Sequence, residues 1–561
     1  MIIGLDMGGT HIDGVIIKEG QVIHSVKTPN DPDHLFESIW TTLTSLLADY
    51  DPSQIQKINL STTVSTNAIV ENKISPVGMI IQSGPGLYND FLACGDENVF
   101  ISGSIDHQGR IVQELDPNEL KNAIHLFQQK NIKACAVITK FSTRNPNHEL
   151  QIKKQLIEHF PIITLGHTLS GKLNFPRRVF TSYLNSAVTQ TFQNFSKSIQ
   201  QSLMKEGISA PVSILKADGG TMSLNAAEKC PVETILSGPA ASFMGMNAML
   251  AKEEDAILLD IGGTTTDLFF LADGIPLFEP LGIKIGPYKT LVRAIYSVSI
   301  GLGGDSAIHI QNNQMIIGPK REGRPYAFGG PTPTPTDAMI VLGLIQEGDK
   351  KRAYKAMEKI GQSLDLTTEK VATSVLETMG NIIQHEVKER LKEINAQPVY
   401  TVKELLYGKK IKPTFIHIIG GPAKVLAPIL EKKFQLPCYY PKEYQVANAI
   451  GAAMAKTTTE ITMIADTSQG IMSVPEMGIY EKIGSNFNLE IARQRALTLL
   501  KENAQSIGAD NEKLETEITE ESSFNMVRGF YTSGQNIRVK AQIKPGLAFS
   551  LRGVTNYESK K

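Results

Sequence analysis

The segment "LDMGGTHIDG" that begins at Leu5 returns as "LDIGGTTTDL" at Leu259, and no other feature of the chain restricts its fold so severely. In register, the copies share Asp6 with Asp260, the Gly-Gly-Thr of Gly8, Gly9 and Thr10 with that of Gly262, Gly263 and Thr264, Asp13 with Asp267, and Gly20 with Gly274. A chain of 561 residues is more than one core can organise, because single cores stop growing at roughly 250–300 residues. The repeat therefore predicts two large lobes, each opened by one copy of the segment, with a smaller unit besides.

Each copy reads as a strand ending in Asp, a Gly-Gly-Thr turn and a returning strand. Glycines let backbone N–H groups approach an anion closely, and the Thr hydroxyl adds a donor. An Asp at the strand end gains nothing from phosphate itself but can hold magnesium, directly or through water. Two such hairpins facing each other would clamp the phosphates of a nucleotide. Gly8, Gly9, Thr10, Gly262, Gly263, Thr264 and Thr265 are the candidate phosphate-binding residues, with Asp6 and Asp260 as catalytic and metal-positioning carboxylates.

The strand "TFIHII" ends in Gly420-Gly421 and leads into a helix, so its backbone can pass beneath a ring or ribose. Gly301, Gly303 and Gly304 of "GLGGDS" join them as candidate adenosine contacts. "YQVANAIGAAMA" reads as a small-residue helix suited to close packing at a lobe hinge.

Residues 2–28 alternate apolar positions between Gly turns and predict three short antiparallel strands. Short apolar strands then alternate with helical stretches such as "NELKNAIHLFQQKNI", which predicts an α/β layer with parallel strands. A long amphipathic helix should follow and end at Gly207. The Pro/Gly-rich "GPKREGRPYAFGGPTPTPTDA" reads as an irregular loop long enough to be functional. The expected boundaries are 1–175 for a first lobe, 176–459 for a second, and 460–561 for a small α/β unit of unassigned role.

The formal net charge is -1, so nothing draws the whole molecule to nucleic acid or an anionic membrane. Basic pairs such as Lys432-Lys433 read as solvated surface. Cys94, Cys135, Cys230 and Cys438 lack metal-ligand spacing and read as reduced thiols. With no apolar run near the ~20 residues of a membrane helix, and no signal peptide at the N-terminus, the chain reads as cytoplasmic.

The succession of two phosphate hairpins, strand-Gly-Gly-helix and small-residue helix resembles the superfamily of actin, sugar kinases and heat-shock chaperone ATPases. That implies a two-lobed actin-like (ribonuclease H-like) fold with duplicated ββαβα-type lobes. Within it, the closer resemblance is to the A-type subunits of the hydantoinase/oxoprolinase family. It is carried, in order, by "LDMGGTHIDGVII", "STTVSTNAIVENK", "HTLSGKL", "APVSILKADGGTMS", "PVETILSGPAAS", "LDIGGTTTDL", "SIGLGGDSAIHI" and "TPTPTDAMIVLG", across residues 1–455.

The resemblance implies ATP and Mg2+ as cofactors and the transfer of γ-phosphate to the oxygen of a cyclic amide such as a hydantoin, 5-oxoproline or a lactam, after which water opens the ring. An amide carbonyl is a poor electrophile with a poor leaving group, and phosphorylating the oxygen cures the first defect. Thr62, Thr63 and Asn67, with His167 and Ser170 of "HTLSG", become the candidate substrate wall, and a B-type partner subunit or a homo-oligomer is implied. The chain departs from the pattern at His11, at Asp305, where "GGDS" replaces "GGGS", and in "GRPYAFGG", which lacks the family's cysteine. A carboxylate beside a triphosphate needs a cation to bridge it. Three alternatives accompany this reading: an ATP-binding switch or assembly factor of the same fold, a small-molecule kinase, and an acetone carboxylase-like subunit.

Overall fold

The computed structural model describes residues 1–561 apart from 10, 88, 251–253, 280, 397–409, 510–513 and 553–561. Both copies of the repeated segment open a sheet of the same design. In the first, strand Ile2–Met7 pairs antiparallel with His11–Lys18, which pairs with Gln21–Pro29, while its other side runs parallel to Lys57–Thr62 and then Val212–Leu215. In the second, Ala256–Ile261 pairs antiparallel with Thr266–Ala272 and parallel with Phe415–Ile419, which is followed by Cys438–Tyr439. Both sheets place the Gly-Gly turn beside the C-terminal ends of parallel strands, the edge where open α/β sheets receive ligands.

The expected boundary at 175/176 does not separate the lobes. Val212–Leu215 and Thr221–Ser223 belong to the first sheet, and an all-parallel sheet of Ile162–Leu165, Ala134–Thr139, Val77–Gln82 and Glu97–Phe100 is inserted between Lys57–Thr62 and Val212–Leu215. Helix Phe175–Lys205 serves both bodies. Val179, Leu184 and Ala187 pack against the inserted sheet, whereas Phe192, Phe195 and Ile199 pack into the first lobe. A continuous apolar pattern shows one helix and cannot show that its two ends belong to different cores.

The lobes meet through helices Ser237–Ala248 and Ala447–Met454. A Cβ on Gly451 would lie 2.1 Å from the Ala241 carbonyl, and one on Gly4 2.1 Å from the Ala449 carbonyl. Glycine is the residue that permits such an approach, so the small-residue helix does pack closely at the junction. The loop read as irregular is pinned at its far end: Thr334 and Asp337 form a capping box on helix Pro335–Val341, and Asp337 also accepts from the Tyr326 and Ala327 amides at 3.0 and 2.7 Å. Such caps contribute on the order of 1 kcal/mol.

Residues 460–552 carry a five-stranded antiparallel sheet, Ile479–Lys482, Ile471–Val474, Glu460–Asp466, Tyr531–Ile543 and Thr516–Arg528. Helix Leu489–Ser506 covers it, and Met463, Leu499, Leu500 and Val539 form its own core. Among the described residues no helix is long and apolar enough to cross a membrane. Burial pushes the thiols of Cys94, Cys135 and Cys230 up to about 12, so little thiolate forms near neutral pH.

Candidate active site

The two turns are closed by the same backbone hydrogen bond. The Gly8 amide donates to the His11 carbonyl at 3.0 Å and the Gly262 amide to the Thr265 carbonyl at 2.9 Å. A Cβ on either Gly8 or Gly262 would stand 3.3 Å from that carbonyl. Gly9, Gly263, Thr264 and Thr265 are exposed at the turn tips, whereas Thr10 lies outside the described residues. In each hairpin an Asp pair faces across the strands, Asp6 opposite Asp13 and Asp260 opposite Asp267.

Asn448 joins the lobes at this point. Its Nδ2 donates to Asp6 Oδ2 at 3.2 Å, and the same side chain favours the ionised form of Asp260, so both strand-end carboxylates feel one amide. Ser61 Oγ donates to Asp6, and Ser242 Oγ to Asp260 Oδ2 at 2.6 Å. Burial still outweighs these bonds. Asp6 is pushed up to about 6, Asp260 is raised, and Asp267, with Asp260 beside it, goes to about 7. Asp13 is raised by burial too, against the opposing pull of Lys27 at 2.6 Å.

Among the described residues no three His, Cys, Asp or Glu side chains gather to hold a metal alone. Two desolvated carboxylates from opposite lobes nonetheless fit magnesium, which binds through one or two carboxylates plus waters and phosphate oxygens.

The "GLGGDS" backbone lies directly on the second turn. The Gly304 amide donates to the Gly262 carbonyl at 3.0 Å and that of Asp305 to the Gly263 carbonyl at 2.7 Å. A Cβ on Gly303 would fall 2.5 Å from the Gly263 carbonyl group. Gly420, at φ +91, presses on Asp260, where a Cβ would lie 2.8 Å from Oδ1. Gly421 faces open space, and Gly304 lies beside Pro422, which brings the two glycine motifs together. Gly301 instead abuts Pro319 and is a packing residue.

The departures find partners here. Arg321 makes an ion pair with Asp305 at 2.9 Å, so the cation that Asp305 requires is a side chain of the loop Gly318–Ala338. His11 is lowered by its burial and by Lys27, which keeps the imidazole neutral at pH 7.

The substrate-wall residues separate. Thr63 accepts from Asn67 Nδ2 at 3.1 Å, and Asn67 stands at the first turn, 3.9 Å from where a Gly9 Cβ would be. Thr62 is buried, its Oγ1 accepting from the Val64 amide at 3.2 Å. His167 is 1 % exposed and 2.6 Å from Glu149, locked inside the inserted sheet body and unable to serve as a wall. Ser170 lines a separate cavity. Proximity in "HTLSG" misled because the side chains leave a short helical turn in different directions.

Two family models cover most of the chain: Hydantoinase/oxoprolinase N-terminal region over residues 2–160 and Hydantoinase/oxoprolinase over 178–461. The chain belongs to the hydantoinase/oxoprolinase family. Its relatives include the acetophenone carboxylase gamma subunit of Aromatoleum aromaticum, 24% identical with 69% of this chain and 61% of the relative covered. The caprolactamase subunit alpha of Pseudomonas jessenii is 24% identical, with 67% and 60% covered, and 5-oxoprolinase 1 of Arabidopsis thaliana 25%, with 61% and 31%. The chain thus spans about 60% of the length of the first two.

Two solved structures share the fold. Acetone carboxylase without nucleotide has a TM-score of 0.72 at 15% identity, over 98% of this chain and 88% of that one. The ATP-dependent caprolactamase of Pseudomonas jessenii has 0.69 at 17%, over 97% and 87%. The lobes have the actin-like α/β fold that the order of motifs implied, and the match to both structures also takes in the antiparallel C-terminal unit.

Asn448, Ser61, Ser242, Lys27 and Arg321 were not singled out from sequence. Asn448 left a signal, as the lone polar side chain in the small and apolar run "ANAIGAAMA".

Proposed function

We propose that this hydantoinase/oxoprolinase chain binds ATP with Mg2+ between its hairpins and transfers the γ-phosphate to the carbonyl oxygen of a cyclic amide, priming the ring for hydrolysis. The observation that carries the reading is the pair of Gly-Gly turns closed by the same backbone hydrogen bond, whose aspartates, Asp6 and Asp260, both feel Asn448. Turn amides and exposed hydroxyls of Thr264 and Thr265 would hold phosphate oxygens. Asp6 and Asp260 would hold the metal, whose charge offsets that building on the transferring group. Gly304, Gly420 and Gly421 would lie along the adenosine. Thr63 and Asn67, beside the first turn, would face the acceptor.

The relatives named as subunits support a B-type partner for the hydrolytic half. A second reading, activation of a ketone for carboxylation, draws on the acetophenone carboxylase relative; both require the same phosphoryl transfer to a carbonyl-type oxygen.

The test is magnesium-dependent phosphate release from ATP by the purified chain with hydantoins, 5-oxoproline, lactams and ketones, alone and with a candidate B-type subunit. Stimulation by a cyclic amide is expected. Stimulation by ketones alone would replace the first reading with the second, and slow turnover indifferent to every compound and partner would overturn both in favour of an ATP-driven switch.

A further inference from the structure

A cavity of about 160 Å³ lies where all parts of the chain meet, and none of the hairpin residues lines it. Ser170 comes from the inserted body, Lys216, Asp218 and Glu233 from the first lobe, Arg293 from the second, and Glu460 from the C-terminal unit. Asp218 belongs to "KADGGTMS", a motif that the nucleotide site leaves unused.

The wall is polarised. On one side the Lys216 ammonium stands 3.4 Å from Asp218 and 3.6 Å from Glu233, two carboxylates to one cation. On the other, Glu460 is approached by Arg293 at 3.6 Å and Lys540 at 3.0 Å, with Lys172 adding its positive field. Glu476 is engaged by the Gly171 and Thr462 amides at 2.8 and 3.2 Å. Charge-assisted bonds close to roughly 2.7–2.9 Å when fully made, so Lys216 holds its two carboxylates loosely around the open volume, and Arg293, which also donates to Gln542, leaves Glu460 at 3.6 Å. Burying such groups is costly unless each is well satisfied, and a ligand with complementary charges would satisfy both ends. Asp218, Glu233 and Arg293 line one cavity of about 160 Å³, so the ligand must be short.

We propose that this cavity binds a small zwitterion, one ammonium and one carboxylate separated by a few carbons, with the ammonium toward Asp218 and Glu233 and the carboxylate toward Arg293. The volume equals that of about five waters, the size range of glycine to 4-aminobutyrate. Glu460, Asn503 and Ile507 supply the wall from the C-terminal unit, so an occupant would tie that unit to both lobes. The proposal stands independently of the nucleotide reading.

Isothermal titration of the full chain with glycine, β-alanine and 4-aminobutyrate, against butyrate and butylamine as singly charged controls, tests it. At least one zwitterion binds and raises Tm, and both controls bind at least about tenfold more weakly. Arg293→Gln weakens zwitterion binding by at least about tenfold. Because that change breaks a buried pair, Ser170→Leu provides a second variant: it fills the cavity with every charge retained, and abolishes binding while the circular dichroism spectrum is kept. The proposal is overturned by no zwitterion binding at about 10 mM, by controls that bind equally well, or by binding that survives Ser170→Leu.

Discussion

The two hairpins share a turn, a register and an Asp pair, yet they are embedded differently. The first turn is open: its nearest side chain at Gly9 is Asn67 at 3.9 Å, and Asp13 has its own cation in Lys27. The second is braced by "GLGGDS", and Asp267 has only Ser299 to oppose its burial. Duplication supplied two equivalent Gly-Gly turns, and packing then braced one and left the other accessible. On this reading the second hairpin fixes the nucleotide while the first addresses the transferring end.

The largest expected effects come from the carboxylates that both hairpins need. Asp260→Ala and Asp6→Asn should each lower magnesium-dependent ATP turnover by roughly a thousandfold with the circular dichroism spectrum unchanged. Turnover untouched in either variant would falsify the two-sided clamp.

Glycine substitutions come next and should divide the hairpins. Gly303→Ala drives a Cβ to 2.5 Å from the Gly263 backbone and should cost about 2–4 kcal/mol of stability, seen as a lower Tm. Gly9→Ala has free space and should leave Tm unchanged while weakening nucleotide binding by about tenfold. If both lower Tm equally, the difference in bracing is wrong.

Charge gives a subtler contrast. Asp6 titrates at about 6 in the fold against a usual 3.8, so ionisation opposes folding: its contribution is fully present below pH 3.8 and is lost as pH rises through about 6. Asp6→Asn should therefore gain stability over the parent by about 3 kcal/mol between pH 4 and 7 without ligand, measured by denaturant titration at each pH. Magnesium-nucleotide affinity of the parent should rise over the same window, because the cation requires the ionised form. A flat pH profile in both measurements sinks the assignment.

The smallest effect is expected at Lys27. Lys27→Met removes the countercharge of Asp13 and should change nucleotide affinity only a few-fold, as Lys27 is half exposed at 50%. A loss as large as that of Asp6→Asn would show that Asp6, Asp13 and Lys27 of the first hairpin work as one unit.

Local chemistry was legible wherever it is written in consecutive residues. The turns at Gly8 and Gly262, the helix stop near Gly207 and the close-packing run at Gly451 all follow from backbone requirements that neighbouring residues reveal. What failed was grouping. His167 and Ser170, three positions apart, ended in a buried hydrogen-bonded pair and a cavity wall, and helix Phe175–Lys205 was divided between two cores. Arg321 could not be matched to Asp305 because the loop that returns it carries no periodicity.

The sequence by itself determined that there are two sheets opened by the same Gly-Gly hairpin, because the repeated Asp-x-Gly-Gly-Thr places two glycines where each strand must turn back. Only the tertiary structure decided that Asn448 ties the two aspartates together, that burial lifts Asp6 and Asp267 toward neutrality, and that four distant segments enclose a polarised cavity. Those properties depend on distance and desolvation between residues far apart in the chain, and neither quantity exists until the chain has folded.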